Sequence, residues 1–149
     1  QRFENGVLVS EERRVVDVVK AFYRGPWRKF MILSQDGMDE LQERLADRTL
    51  GMQAVRVLFA CIGEMNRDNE CRAGRKDLAH RLEMAESNVA KALKDLVEAG
   101  FLERPRLKFS PYVVSPRLAW NSSTARLREA LATRGLLDDK GMMKSKEAA

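Results

Sequence analysis

Histidine and cysteine are scarce in this 149-residue chain, with one of the first and two of the second. His80, Cys61 and Cys71 do not supply the clustered ligands that a zinc site needs, so no metal is expected. Two cysteines do not make a disulfide framework either, and a reducing cytoplasm is the expected setting. Cys61 lies in an apolar helical run, where it is expected to behave as a small buried hydrophobe. No apolar run approaches the ~20 residues that span a bilayer. No secretory signal is visible, so no membrane partner is expected. The chain starts at Gln1 rather than Met, and some sequence is expected to precede it. There is no G-x-x-x-x-G-K-[ST] phosphate loop, no internal repeat and no low-complexity segment.

Positive charge is plentiful. Lys and Arg total 27 against 22 Asp and Glu, a net charge of +5, which favours an anionic partner, most commonly nucleic acid. Hydrophobic residues at 44% and charged ones at 33% suit one core under a heavily charged surface. The expected organisation is a flexible segment over 1–12, a single domain over 13–137 and a disordered tail over 138–149.

From Arg14 to Tyr23 the run RVVDVVKAFY is β-branched and aromatic. Gly25-Pro26 breaks it, and KFMIL (Lys29 to Leu33) follows. This reads as a β-hairpin, although Val15, Val18, Val19 and Phe22 also fit one face of a helix. Tyr23, Arg24, Trp27, Arg28 and Lys29 around that turn form a possible contact for nucleic acid or a partner. Trp27 packed on the core with wet charges around it is the plainer reading. Ser34 or Asp36 can cap a helix whose buried side carries Met38, Leu41 and Leu45. A long apolar helix then runs from about Met52 to Met65, with Val55, Leu58, Phe59 and Ile62 as its core face. A polar turn, Asn66 to Asn69, and a short strand within Glu70 to Ala73 follow.

The stretch RKDLAHRLEMAESNVAKALKDLVEAG, Arg75 to Gly100, predicts two helices joined by a tight turn. Leu78, Ala79 and Leu82 mark one face of the first. Val89, Ala92, Leu93, Leu96 and Val97 mark one face of the second. Gly100 sits where a left-handed helix end requires it. Phe101-Leu102, the basic turn Arg104 to Lys108 and Tyr112 to Val114 then read as strand, turn and strand, the wing of a winged helix. Asn121 to Thr124 can cap a last helix carrying Leu127, Ala130 and Leu131, closed by Gly135. The fold class expected is α+β and mainly helical: a winged helix-turn-helix with an N-terminal hairpin or helix extension and a C-terminal helix.

VRVLFACIGEMNRDNECRAGRKDLAHRLEMAESNVAKALKDLVEAGFL, followed by YVVSPRLAW and preceded by FMILSQDGMDEL, resembles the RepL-type plasmid replication and maintenance proteins. The resemblance covers about residues 30–120. The two-helix part is shared with MarR- and Crp-like winged-helix regulators, whereas NRDNE and SPRLAW are the narrower marks. Such turns often read L-G-[IVM]-S, but this chain has Leu82, Glu83, Met84 and Ala85. Glu83 is therefore expected to accept a left-handed conformation at a cost of about 1 kcal/mol. Ala85 lacks a hydroxyl to cap the second helix.

In a winged helix the second helix of the motif enters the major groove. By position, Glu86, Ser87, Asn88 and Lys91 are the candidate base readers. Asn88 suits adenine, Lys91 suits guanine O6 and N7, and Glu86 suits a cytosine amino group. Arg75, Lys76, Lys94, Arg104, Arg106 and Lys108 are the candidate phosphate contacts, with the wing arginines also suited to a narrow minor groove. Leu127, Ala130 and Leu131 are candidates for a homodimer interface, or for packing on their own domain. A rolling-circle enzyme needs a histidine cluster beside a nucleophilic tyrosine, and ATP-driven melting needs a phosphate loop. Neither is present, so no enzyme activity, catalytic residue or cofactor is expected.

The resemblance implies a bacterial protein that recognises a plasmid or phage replication origin on double-stranded DNA and recruits host replication proteins. A transcriptional repressor with the same DNA-binding parts is the second reading. A winged helix used for protein–protein contact is the third.

Overall fold

The computed structural model describes residues 31–144, except Arg106 and Phe109. The chain divides into two units, residues 1–30 and 31–149, and the division falls inside the expected 13–137 domain. The expected flexible segment, the hairpin or helix before residue 31 with its Tyr23 to Lys29 turn, Arg106 and residues 145–149 lie outside the described residues.

Among the described residues the order is β1 (Ile32–Leu33), α1 (Gln35–Ala46), α2 (Met52–Glu64), β2 (Glu70–Cys71), α3 (Arg75–Leu82), α4 (Glu86–Glu98), β3 (Leu102–Glu103), β4 (Tyr112–Val114), β5 (Ala119–Trp120) and α5 (Thr124–Thr133). This is an α+β arrangement of five helices with two small antiparallel sheets, β1-β5 and β2-β4-β3. Within the second sheet, Glu70 faces Val113 and Leu102 faces Val114.

The KFMIL run does supply a strand, but its partner is the distant SPRLAW segment. Ile32 pairs with Trp120 and Leu33 with Ala119. The first turn of α1 sits directly on that segment. Ser34 N–H donates to Leu118 O (2.8 Å), and a Cβ at Gly37 would stand 2.9 Å from Arg117 O and 3.0 Å from Leu118 Cα. Only a residue without a side chain permits this approach. The Ser34 hydroxyl caps α1 by accepting from Gly37 N–H at 3.1 Å.

α2 packs chiefly on α4. Val57, Leu58 and Cys61 of α2, Leu78 of α3, Val89, Leu93 and Leu96 of α4, and Leu102, Val114 and Leu118 form the centre of the core. Each fully buried leucine contributes about 1.5–3 kcal/mol of transfer free energy. Phe59, expected on the core face, is instead 49% exposed. The buried arc of α2 takes in Ala54, Val55, Val57, Leu58, Cys61 and Ile62. At 100° per residue Phe59 stands about 40° beyond Val55, on the wet side with Met52.

Three helix ends close in the same way. After α4, Gly100 (φ +83) donates to Val97 O and Phe101 donates to Leu96 O at 3.0 Å. After α5, Gly135 (φ +66) and Leu136 repeat the pattern on Ala132 and Leu131. After α3, Glu83 (φ +51) donates to His80 O, and Met84 donates to Ala79 O at 3.0 Å. All three have the paired hydrogen bonds of a Schellman closure, and glycine is missing only at Glu83. The expected left-handed Glu83 is therefore present.

The chain does not become irregular at residue 138. Leu137 bridges Met143, Asp138 N–H donates to Met142 O (2.7 Å), and Lys144 N–H donates to Leu136 O (2.9 Å). The Asp138 carboxylate accepts from the backbone of Lys140 and Met142, both at 2.9 Å. These local bonds satisfy a turn through residue 144 that composition alone marks as tail.

Candidate nucleic-acid interface

α4 divides cleanly into two faces. Val89, Ala92, Leu93 and Leu96 are buried. Glu86, Ser87, Asn88, Lys91 and Lys94 are all exposed. Ser87, Asn88, Lys91 and Lys94 make no side-chain hydrogen bond or ion pair with the described residues. At its start, Ala85 gives no side-chain cap, as its lack of a hydroxyl predicts. Asn88 and Val89 N–H both donate to Ala85 O, at 3.0 and 3.1 Å, which leaves the amides of Glu86 and Ser87 outside the helix ladder. Glu86 lies in the first turn, where the helix dipole favours an acid.

The loop between β3 and β4 rises beside α4. A cleft of about 330 Å³ separates them, with Lys94 on the helix side and Arg104 and Lys108 on the loop side. A second cleft of about 450 Å³ lies between the same loop and the start of α3, lined by Arg72, Arg75 and Lys108. Lys108 borders both. Four of the expected phosphate residues, Arg75, Lys94, Arg104 and Lys108, are thus brought around two clefts that share a wall. Lys76 is exposed on α3 and lines neither cleft. Arg72 joins this group although no pattern singled it out. Its only sequence signal is its place one residue after a short strand.

Arg72 pairs with Glu70 at 4.0 Å, and several cations outside the clefts are also held within the chain. Arg81 pairs with Glu64, and that carboxylate raises its pKa. Arg117 pairs with Glu40 at 3.4 Å, and Arg126 with Asp68 at 3.7 Å. Arg134 holds Glu103 with two parallel bonds of 2.8 and 2.7 Å, which raise its pKa. Arg56 donates to Leu82 O at 2.7 Å. A count of net charge cannot distinguish these structural cations from the ones facing the clefts.

The last helix is tied to its own chain by Arg126 and Arg134. Leu131 is 7% exposed and does not belong to an outward face, whereas Leu127 and Ala130 are half-buried. The expected apolar dimer stripe is therefore partly consumed within one chain.

Among the described residues no group of three His, Cys, Asp or Glu side chains converges to hold a metal ion. No helix there is long and apolar enough to cross a membrane. Compared with protein-family models, curated proteins and solved structures, the chain matches none.

Proposed function

We propose that this chain binds double-stranded DNA as a winged helix-turn-helix protein. α4 would lie in the major groove, and the β3–β4 loop would act as the wing. The observation that carries this reading is the placement of Lys94, Arg104 and Lys108 around one cleft, beside an α4 face whose Ser87, Asn88, Lys91 and Lys94 side chains have no partner among the described residues. A helix of this kind fits the width of the B-DNA major groove, and cations on both sides fit the phosphates that flank it. Glu86, Ser87, Asn88 and Lys91 would then read bases. Arg72, Arg75, Lys94, Arg104 and Lys108 would set register and affinity.

The role we propose is recognition of a plasmid or phage replication origin, as the RepL-type resemblance implies. The chain would mark the site and recruit host replication proteins in the bacterial cytoplasm. A second copy on a paired half-site would double the contacts.

Selection of bound fragments from the source replicon, read against salt concentration, tests this. An enriched repeat array at the origin, with binding that falls steeply as salt rises, is expected. Enrichment of a promoter palindrome alone, with replication intact after deletion of the gene, replaces the initiator with a repressor. Absence of duplex binding at low salt removes the DNA reading altogether.

A further inference from the structure

The turn between α3 and α4 aims the α4 face, and it lacks the glycine and the capping hydroxyl that such turns often carry. Glu83 occupies the left-handed position, and Ala85 starts α4 without a side-chain cap. Two contacts from α2 act on this point instead. Arg56 Nη2 donates to the Leu82 carbonyl at 2.7 Å, across 26 residues of sequence. Glu64 pairs with Arg81, the residue before Leu82. Residues 56 and 64 lie about 12 Å apart along a helix that rises 1.5 Å per residue. The end of α3 is therefore held from two well-separated points on a rigid support. A guanidinium on a C-terminal carbonyl also complements the negative end of the helix dipole.

We infer that Arg56 is a positioning residue for DNA recognition: by clamping the α3 end it sets the angle at which α4 enters the groove. This rests on the DNA-binding reading above. Arg56 is an exposed cation on a basic protein, and charge alone would assign it to a phosphate. The hydrogen bond to Leu82 O gives it a different task. A phosphate contact acts on every duplex equally, whereas a group that aims the reading helix acts on the preferred sequence.

The two roles separate in one experiment. Full-length wild-type protein, Arg56→Met and Arg56→Lys are titrated against the duplex enriched by selection and against a scrambled duplex, each over a salt series. The inference expects Arg56→Met to lose about tenfold on the enriched duplex, with scrambled affinity and salt slope unchanged, and Arg56→Lys to recover part of the loss. Amide exchange of the free protein should quicken selectively at Met84 in Arg56→Met, because its bond to Ala79 O belongs to the turn being held. A uniform loss on both duplexes with a slope shallower by about 0.9 makes Arg56 a phosphate contact and overturns the inference. Unchanged preference for the enriched duplex, or unchanged exchange at Met84, also overturns it. If the wild-type protein holds no duplex, the DNA reading fails by itself, and the exchange measurement still judges the clamp.

Discussion

Asn69 donates from its side-chain amide to the carbonyl of Ala119 at 2.7 Å, fifty residues further along the chain. The same amide donates to Val114 O at 3.1 Å, and its Oδ1 accepts from Asn121 N–H at 3.2 Å. Its backbone carbonyl accepts from Val114 N–H at 2.8 Å. Asn69 is 1% exposed and has φ +59, a left-handed position that asparagine tolerates better than most residues. It joins NRDNE to SPRLAW, the two short motifs on which the narrower family resemblance rests. Those motifs therefore describe how the domain is closed. They carry no information about which bases are read.

Replacing Asn69 by Asp keeps the shape but removes both donors and points a carboxylate at two carbonyls. Asn69→Asp should cost about 3 kcal/mol or more at neutral pH, since buried polar groups would lose their partners and a charge would be buried. Asn69→Ala should cost about 2–4 kcal/mol by leaving two carbonyls unpaired and straining the backbone. Urea unfolding monitored by tryptophan fluorescence measures both. A loss below 1 kcal/mol in either variant would show that water replaces the asparagine.

Glu83 makes the opposite kind of prediction. At φ +51 a side chain is strained, and no hydrogen bond to the described residues uses the Glu83 carboxylate. Glu83→Gly should therefore stabilise the fold by about 1 kcal/mol, the usual relief at a left-handed helix end. The same substitution at an exposed position inside a helix, such as Glu129 of α5, should destabilise by a similar amount. Thermal unfolding of the two variants in parallel separates conformational relief from a change of charge.

Helix spans were legible because apolar residues recur at the helical period, and Gly100 and Gly135 marked two ends. The left-handed Glu83 and the uncapped Ala85 were legible too, since both follow from side-chain chemistry at a known place in a turn. Phe59 was misread because α2 buries so broad an arc that one more apolar residue cannot be assigned to either side. The pairing of Ile32 with Trp120 joins segments nearly ninety positions apart, and no local pattern encodes it. The same holds for the clefts. Arg72, Arg75, Lys94, Arg104 and Lys108 come from different elements, and only the assembled sheet and helices bring them together.

Cys61 and Cys71 are both buried. The neighbouring Cys71 thiol, followed by burial, raises the Cys61 pKa above its ordinary value of 9.0, and the same contact lowers that of Cys71. The folded state therefore keeps a proton that the unfolded chain gives up. Stability supplied by this thiol is fully present below pH 9 and declines as pH rises further, with the sign of a raised pKa. Urea midpoints should fall above pH 9, and Cys61→Ala should flatten that alkaline fall. Native protein should also react with iodoacetamide at Cys61 only as fast as it opens. Rapid labelling at pH 8 without loss of structure would contradict the burial argument.

Lys94 and Arg104 face each other across the cleft between α4 and the β3–β4 loop, so the proposed function makes their neutralisation its sharpest test. Each phosphate contact releases counterions and contributes about 0.9 to the slope of log affinity against log salt. Lys94→Ala with Arg104→Ala should flatten the slope by about 1.8 and weaken binding to every duplex alike, because neither residue is a candidate base reader. Arg126→Ala removes a cation that lines neither cleft and pairs with Asp68, and should leave the slope unchanged. Asn88→Ala should behave differently from both, weakening the enriched duplex by about 1–3 kcal/mol while leaving scrambled DNA alone. Equal slopes for the double variant and Arg126→Ala would mean that net charge, rather than this cleft, accounts for any DNA affinity the chain has.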